Sequence, residues 1–364
     1  MTHLTVVIPA KDEAATIERA LDAIVHQELL PVGDVDAIVL ANNCGDDTAE
    51  RVRRFAERHP IVNVDVVEAT FAAPDAHVGV ARRTVMDLAA ERFARRGVDG
   101  IIASTDADTV VDRRWVANTL AAMRQVDAVA GRIVILPEDW RAFPDALREA
   151  YARDGIYYRT IALVEATIDA VPWDPAPRHA DHFGGSFAVR ASAYRRVGGL
   201  PPVPCLEDVA LYRALLRADV PLRHARDVRV ATSGRRHARV TGGFATHLEE
   251  LAGLGAWHVP HPQSTLATVG ARAALRRVWQ RGFGESDVRR VHELLALPMR
   301  ELRSLVDFTR PFGESWERVE AAAAPRRTDY PDVPVESALA RLRAAIASAN
   351  AAVPTRSNAA SGAG

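Results

Sequence analysis

The sequence predicts an α/β protein with a doubly wound, mostly parallel sheet and an all-helical C-terminal extension. Short β-rich runs alternate with helical stretches early in the chain, polar motifs follow three of these runs, and from about Phe244 onward only helical patterns occur. Strands that alternate with helices pair in parallel and carry helices on both sheet faces. We therefore expect an α/β domain over residues 1–243, a helical region over 244–354 and a small, polar, disordered tail over 355–364.

Four β-rich runs and three helical stretches open the chain. The predicted strands are 4–8, 35–40, 64–67 and 100–104, and the helices after the first one are expected over about 46–59 and 80–96. In the first helix Ile17, Leu21 and Ile24 recur at the spacing of one buried helix face. Gly97 is a residue type that ends helices, so we place the end of the third helix there.

The middle of the chain mixes both element types. The predicted elements are a helix over about 113–124, a strand over 126–136, an exposed loop over 169–182, a strand over 183–189, a short helix over 192–197 and a helix over 207–218. A bend in the strand is expected at Gly131, and the loop holds three prolines without an apolar period. Near the C terminus, Leu339, Leu342 and Ile346 lie on one helix stripe.

Composition and charge exclude several classes of protein. Lys plus Arg number 46 and Asp plus Glu number 47, so no overall field attracts nucleic acid or an anionic membrane. Cys44 and Cys205 lie in unrelated contexts, which fits a reducing compartment. No signal-peptide pattern precedes the first strand, and no segment approaches the roughly 20 apolar residues that span a bilayer. We expect a cytoplasmic protein without a transmembrane segment or a nucleic-acid partner.

The run IIASTDADT at 101–109 ends an apolar strand with two carboxylates one residue apart. Because side chains alternate between the faces of a strand, Asp106 and Asp108 can point the same way where the backbone leaves the sheet. Hard divalent cations prefer carboxylate oxygens and keep positions open for substrate phosphates. The pair is therefore a candidate Mg²⁺ or Mn²⁺ site for a nucleotide diphosphate, the alternative being a solvated turn or helix cap.

Other polar segments are expected at the same edge of the sheet. Ligands of doubly wound sheets collect beyond the carboxyl ends of the strands. The segments 9–13, 41–47 and 106–108 all follow predicted strands. They should therefore converge on one edge.

Four sequence blocks follow one another in a characteristic order. They are VVIPAKDE at 6–13, NNCGDDT at 42–48, DAD at 106–108, and GGSFAVR at 184–190 with GGL at 198–200 and ED at 207–208. In this order they resemble a family 2 glycosyltransferase of the GT-A fold, over roughly residues 4–243. The resemblance implies a nucleotide-sugar donor, either a UDP- or a GDP-sugar, and a metal, Mn²⁺ or Mg²⁺.

The resemblance places the donor around the first loops and the acidic edge. The candidate substrate-binding residues are Pro9, Ala10, Glu13, Asn42, Arg82, Asp106, Gly184, Gly185, Arg236 and Arg239. Relatives more often carry an aspartate where this chain has Asn42, whose amide both donates and accepts, so the identity of the base stays open. Glu13 either contacts the donor or is an acid of the first helix turn, where the helix dipole favours it. Arg236 and Arg239 either clamp the diphosphate or are solvated loop charges.

The resemblance also implies the metal ligands. It places Asp106 nearer the ribose and makes Asp108 the ligand of the metal that bridges the diphosphate. His237 is a further candidate ligand, since some GT-A enzymes complete the site with a histidine near this point and imidazole suits Mn²⁺; its alternative is a surface role. The surrounding segment 233–244 lacks the Gln, Arg and Trp motif of processive relatives, which predicts a non-processive enzyme.

Glu207 and Asp208 resemble the acidic pair that supplies the general base in inverting relatives. A positioned carboxylate can accept the proton of an acceptor hydroxyl, and such help is worth about 10²–10⁴ in rate. We choose Asp208 as the base. The alternative is that both are ordinary acids in the first turn of a helix, stabilised by its dipole.

The leading hypothesis is thus an inverting, metal-dependent glycosyltransferase that acts on a hydroxyl-bearing acceptor. A small molecule is one candidate for this acceptor. The alternatives are a retaining enzyme with His237 on the metal, a nucleotidyltransferase, and a non-catalytic nucleotide-sugar-binding protein. His179 and His182 are candidates for acceptor contact. The sequence leaves open whether the helical region covers the acceptor, pairs a homodimer or extends the core.

Overall fold

A computed structural model describes residues 3–30, 33–235, 243–253, 257–326 and 330–351. Its main sheet has eight strands in the order β3-β2-β1-β4-β7-β6-β8-β5. They are β1 (Leu4–Ala10), β2 (Val35–Asn42), β3 (Asn63–Ala69), β4 (Ile101–Ser104), β5 (Thr109–Val111), β6 (Ala128–Ile135), β7 (Phe187–Arg190) and β8 (Leu222–Thr232). The pairs among β1, β2, β3 and β4 and the pair β6–β8 are parallel, whereas β7 is antiparallel to both neighbours and β5 to β8. The predicted class, a mostly parallel sheet, is confirmed.

Fourteen helices surround the sheet and extend it. They are α1 (Ile17–Val25), α2 (Thr48–Arg58), α3 (Val78–Arg96), α4 (Trp115–Ala122), α5 (Pro137–Ala142), α6 (Asp145–Ile168), α7 (Ala191–Arg196), α8 (Glu207–Arg217), α9 (Phe244–Gly253), α10 (Pro262–Arg281), α11 (Glu285–Leu295), α12 (Met299–Leu305), α13 (Phe312–Ala323) and α14 (Val335–Ala351), as counted in the described ranges. No helix among the described residues is long and apolar enough to cross a membrane.

The side chains of β1 alternate between two hydrophobic cores. Val6 and Ile8 pack with α1, α2 and α4 on one face, and Val7 packs with α3, α7 and α8 on the other. This two-residue alternation is the pattern that a strand covered on both faces requires. The carboxyl ends of β1, β2 and β4 consequently emerge side by side, as predicted.

The expected bend in β6 is present. The register of the β6–β8 pair shifts between Gly131 and Arg132. A Cβ at Gly131 would lie 2.0 Å from the Oγ of Ser186, so only glycine allows this close approach. The bend turns the second half of β6 toward the edge where the polar segments gather.

Two parts of the middle region differ from the prediction. Residues 184–186, expected as strand, form a 3-10 turn before β7. The helix α6, of 24 residues, was not predicted. It buries the polar residues Asp154 and Thr160 beside apolar ones, which blurs its periodicity.

The C-terminal region is helical apart from one short antiparallel ladder of β9 (His258–Val259) and β10 (Val333–Pro334). The predicted stripe of Leu339, Leu342 and Ile346 is buried, and it packs with α6. The start of α13 docks on the end of α8, where the backbone N–H of Gly313 donates to Asp219 at 2.9 Å. The predicted tail at 355–364 lies outside the described residues.

Candidate active site

A cleft of about 1710 Å³ opens at the carboxyl ends of β1, β2 and β4. The predicted site residues that line it are Pro9, Glu13, Asn42, Arg82, Asp106, Asp108, Gly185, Glu207 and Asp208. Ala10 instead points into the hydrophobic core and is 1% exposed. Gly184 is buried behind the lining and contacts Arg82 and Asp208 through its backbone. Arg236, His237 and Arg239 lie outside the described residues.

The guanidinium of Arg82 links the two acidic motifs. Its Nε donates to Glu207 Oε1 at 2.9 Å, and its Nη2 donates to Asp106 Oδ1 at 2.8 Å. Its Nη1 donates to Ser104 Oγ at 2.7 Å and to the carbonyl of Gly184 at 3.3 Å. Burial opposes the charge, but the carboxylates of Asp106 and Glu207 outweigh it and raise the pKa of Arg82. The acids from β4 and α8 are therefore held against one buried cation.

Glycines allow this clamp to close. A Cβ at Gly184 would lie 2.6 Å from the Cζ of Arg82, and one at Gly185 would lie 3.0 Å from Asp106 Oδ2. A Cβ at Gly79, one turn before Arg82 on α3, would lie 1.9 Å from the carbonyl oxygen of Val203. The two glycines of the GGSFAVR block thus serve close packing against charged groups.

Asp108 lies in a crowded acidic corner. Its Oδ2 is 3.2 Å from Arg235 Nη2, while Arg235 Nη1 is 3.1 Å from Glu13 Oε1. Burial, followed by the negative charges of Asp106 and Glu13, raises the pKa of Asp108 to about 6, although Arg235 partly offsets this. Sequence reasoning missed Arg235, because nothing local marks a residue that pairs across 222 positions.

The acidic corner fits a divalent cation. Arg82 occupies Oδ1 of Asp106, and no hydrogen bond to its Oδ2 occurs within the described ranges. Asp108 suffers repulsion from neighbouring carboxylates, which a cation would relieve. Carboxylate oxygens are the donors that Mg²⁺ and Mn²⁺ prefer. Asp106 and Asp108 are therefore the residues that would hold the metal.

A second acidic group has a structural explanation. Ligand atoms of Asp12, Cys44 and Asp46 lie within 4.8 Å of one another. Asp12 Oδ1 accepts from the N–H of Gly45 at 2.7 Å, and Asp46 Oδ2 accepts from the N–H of Ala14 at 3.0 Å. These carboxylates tie together the loops that follow β1 and β2.

Glu207 and Asp208 differ in their surroundings although they are adjacent. Leu206 precedes them with a φ of 55°, the left-handed region that non-glycine residues rarely adopt, and α8 begins at the next residue. Glu207 is 4% exposed and bound to Arg82. Asp208 is half-buried; its Oδ2 accepts from the N–H of Gly184 at 2.7 Å, and its Oδ1 from that of Val209 at 2.7 Å.

An aromatic stack lies next to this acidic pair. The ring of His182 is 4.1 Å from Tyr212 and 5.1 Å from Phe183, measured between centroids. Burial lowers the pKa of His182 to about 4 and that of His179 to about 3, so both are neutral at pH 7. His179 is buried, with Nε2 3.3 Å from the carbonyl of Ala225. Both histidines line the cleft.

Buried ion pairs connect α6 and the following loop to the rest of the fold. Asp169 binds Arg272 at 2.6 Å and Arg276 at 2.8 Å, which anchors α10. Asp174 binds the Nδ1 of His224 at 2.8 Å. Burial raises the pKa of Asp174, but its hydrogen bond and charge pairing with His224 prevail and set the value to about 2. The proline-containing loop is therefore fixed along the wall of the cleft.

The comparison with protein families gives one match. The model of Glycosyl transferase family 2 matches residues 5–172, which include β1 to β6, α6 and the residues Glu13, Asn42, Arg82, Asp106 and Asp108. No curated protein is detectably similar in sequence.

Solved structures resemble the chain at low sequence identity. A mannosyltransferase from Pyrobaculum calidifontis, in complex with GDP-Man and Mn²⁺, is 19% identical with a TM-score of 0.46, over 96% of this chain and 86% of the other. TarS 1-349 from S. aureus, in complex with UDP-GlcNAc, is 12% identical with a TM-score of 0.47, over 90% and 93%. Glucosyl-3-phosphoglycerate synthase from Mycobacterium tuberculosis is 17% identical with a TM-score of 0.40, over 74% and 80%.

Proposed function

Residues 5–172 form a glycosyltransferase domain of glycosyl transferase family 2, and from this premise we propose that the protein moves a sugar from a nucleotide-diphosphate donor to a hydroxyl-bearing acceptor. The observation that carries the proposal is the Arg82 clamp. It brings Asp106, from the end of β4, and Glu207, from the start of α8, onto one guanidinium in one cleft. Asp208 follows directly, so the acidic corner and the acidic pair lie together.

The donor is a UDP- or GDP-sugar bound along the first loops. Pro9, Glu13 and Asn42 line the part of the cleft next to the ends of β1 and β2. The amide of Asn42 offers both a donor and an acceptor to the base. Arg82, whose four protein acceptors hold it in place, positions Asp106 beside this region.

Asp106 and Asp108 hold a divalent cation, Mn²⁺ or Mg²⁺. When bound, such an ion neutralises the negative charge that the diphosphate gains as the sugar leaves. This requirement explains why two carboxylates are kept close together in a corner that raises the pKa of Asp108 to about 6. It also supports the choice of a diphosphate over an uncharged leaving group.

Asp208 is the general base. The acceptor hydroxyl attacks the anomeric carbon, its proton moves to the Asp208 carboxylate, and the bond between that carbon and the diphosphate oxygen breaks. One displacement inverts the anomeric configuration. The N–H groups of Gly184 and Val209 fix the carboxylate, and each of its oxygens retains a second lone pair for the acceptor. The transfer is non-processive, with one sugar added per binding event.

The first test screens UDP-, GDP- and TDP-sugars for thermal stabilisation of the full-length protein with and without Mn²⁺. A ligand of the native state raises the melting temperature by mass action, so one donor should give a metal-dependent shift. Asp108→Ala should abolish the metal dependence, whereas Glu91→Ala, at an exposed position away from the cleft, should keep it. An unchanged shift in Asp108→Ala contradicts the metal assignment.

The second test measures turnover with that donor. Asp208→Asn should lower kcat by about 10²–10⁴ without weakening donor binding, because only the proton transfer is lost. NMR of the new linkage should show inversion, and mass spectrometry should show single additions. Retention of configuration would overturn the single displacement, and full activity of Asp208→Asn would overturn the base assignment.

A further inference from the structure

We propose that Arg132 and Arg159 form an anion-binding subsite in the same cleft, so that the acceptor is a small molecule carrying both a hydroxyl and a phosphate or carboxylate group. This inference rests on the proposed function, because it identifies the chemical class of the acceptor. Nothing in the family match assigns either arginine a role.

The first observation concerns the contacts of these two cations within the described residues. Both line the cleft, Arg132 from β6 and Arg159 from α6. Neither makes an ion pair or a side-chain hydrogen bond within the described part of the chain. By contrast, Arg178 and Arg272, which line the same cleft, are bound to Glu165.

The second observation is that the two charges act on one another. Burial, and then the positive charge of Arg159, lower the pKa of Arg132. Like charges that share a site repel one another, and a bound anion removes this penalty. Arginine suits the task because its planar fork matches phosphate and carboxylate oxygens in pairs.

The neighbouring acid Asp181 influences both arginines by its charge, but it forms no ion pair with either among the described residues. Asp181 Oδ2 accepts from the backbone N–H of Ile133 at 3.1 Å, and it lies 3.6 Å from the Nδ1 of His179. Burial raises the pKa of Asp181, although its hydrogen bond with Ile133 and the positive charges of Arg132 and Arg159 partly offset this. Asp154 is paired with His247 at 3.1 Å. The arginines therefore keep positive charge available to a ligand.

The third observation is the distance to the proposed transfer centre. A Cβ at Gly185 would lie 3.5 Å from the Cδ1 of Ile133 and 3.0 Å from Asp106 Oδ2, so the neighbour of Arg132 in β6 borders the acidic corner. Asp181, which binds the backbone of Ile133, precedes Gly184 by three residues. Gly184, the neighbour of Gly185, donates its backbone N–H to Asp208 at 2.7 Å. A chain of contacts therefore leads from the strand that carries Arg132 to Asp208, along which an acceptor would place its anion on the arginines and its hydroxyl at Asp208.

The test is calorimetric titration of the full-length protein with three probes that share one skeleton: glycerol 3-phosphate, D-glycerate and glycerol. Inorganic phosphate is a fourth probe. We expect a charged probe to bind and glycerol not to bind at the same concentration, and the stronger of the two organic anions shows whether phosphate or carboxylate is preferred. Arg132→Gln and Arg159→Gln should each weaken binding about tenfold or more, since each removes charge-assisted hydrogen bonds.

Arg229→Gln is the matched control. Arg229 is the β8 partner of Arg132 and influences its charge, but it does not line the cleft. It should change the affinity less than about twofold, because Arg229 is exposed outside the cleft and its charge is screened by solvent. Arg159→Lys, which keeps the charge at an exposed position, should retain most of the binding and so separates loss of charge from loss of folding.

Failure of this inference is distinguishable from failure of the proposed function. If a nucleotide sugar binds with metal but no anion binds, or anions bind equally well to Arg132→Gln and Arg159→Gln, the subsite is refuted and the transferase stands. If the two substitutions weaken the nucleotide sugar as much as the anion, the arginines belong to the donor and the acceptor assignment is refuted. If no nucleotide sugar binds at all, the proposed function itself fails.

Discussion

Replacing Arg82 by methionine should destabilise the protein strongly, because it leaves a buried carboxylate without its partner. Arg82 is 5% exposed and Glu207 is 4% exposed, and their ion pair measures 2.9 Å. Removing one partner of a buried pair costs about 3–5 kcal/mol, since the remaining charge stays out of water. The loss of Arg82 costs less free energy at Asp106, because the side chain of Asp106 is 34% exposed and water can replace the guanidinium. We expect the free energy of unfolding to fall by about 3–5 kcal/mol at pH 7.

The assay is urea denaturation of four proteins: the wild type, Arg82→Met, Arg82→Met with Glu207→Gln, and Arg83→Met. Arg83 is the matched control, because it pairs with Asp87 at 3.3 Å at the surface, where both side chains are more than a third exposed. Its replacement should cost less than about 1 kcal/mol. The double variant should regain at least half of the stability lost in Arg82→Met, since it removes the unpaired charge.

Two results would refute this reasoning. If Arg82→Met is no less stable than Arg83→Met, burial does not make the pair costly to break. If Glu207→Gln restores nothing in the double variant, the loss comes from other contacts of Arg82, such as those to Ser104 and the carbonyl of Gly184.

Three further substitutions give separate tests of the site. Gly184→Ala should lower the free energy of unfolding by about 1–3 kcal/mol, because its Cβ would lie 2.6 Å from the Cζ of Arg82; urea denaturation measures this, and unchanged stability contradicts it. Burial lowers the pKa of His182 to about 4, below its unfolded value of about 6.5, so the free energy of unfolding falls as the pH decreases from 6.5 to 4. His182→Phe should reduce this loss of stability by about 1–2 kcal/mol, as measured by denaturation at pH 7 and pH 5. Arg235→Ala should tighten Mn²⁺ binding several-fold, because the arginine competes with the metal for Asp108 at 3.2 Å. Paramagnetic resonance measures the binding of Mn²⁺, and weaker binding would mean that Arg235 helps to organise the site.

The fold could be predicted where the pattern is local. The alternation of apolar residues in β1 and the spacing of Ile17, Leu21 and Ile24 in α1 depend on residues that are near in sequence. The 3-10 turn at 184–186 could not be predicted in this way, because its Gly184 packs closely against Arg82, which belongs to another element. The same holds for α6, whose buried Asp154 binds His247 from α9 through one of its two carboxylate oxygens.

The site residues also divide into those that a local sequence pattern predicts and those that it does not. Asp106 and Asp108 were predicted as a pair because one short segment directly after β4 carries both. Arg82 was predicted to contact the nucleotide-sugar donor. In the structure its guanidinium binds Glu207, 125 residues away, and Asp106, 24 residues away. Arg132 and Arg159 carry no motif at all. Their proposed role follows from the lack of an ion-pair partner among the described residues, and such a lack has no counterpart in a local sequence pattern.

The contrast between Glu207 and Asp208 explains why adjacent carboxylates would not share the work of catalysis. If Glu207 accepted the acceptor's proton, Arg82 would lose the carboxylate that its Nε binds while remaining 5% exposed, and the buried positive charge would oppose the step. Asp208 acts on Arg82 by its charge, but its hydrogen-bond partners among the described residues are backbone N–H groups, so its protonation breaks no ion pair. Two titratable groups with different environments suit different tasks: in the proposed function, Glu207 holds the clamp in place and Asp208 exchanges the proton.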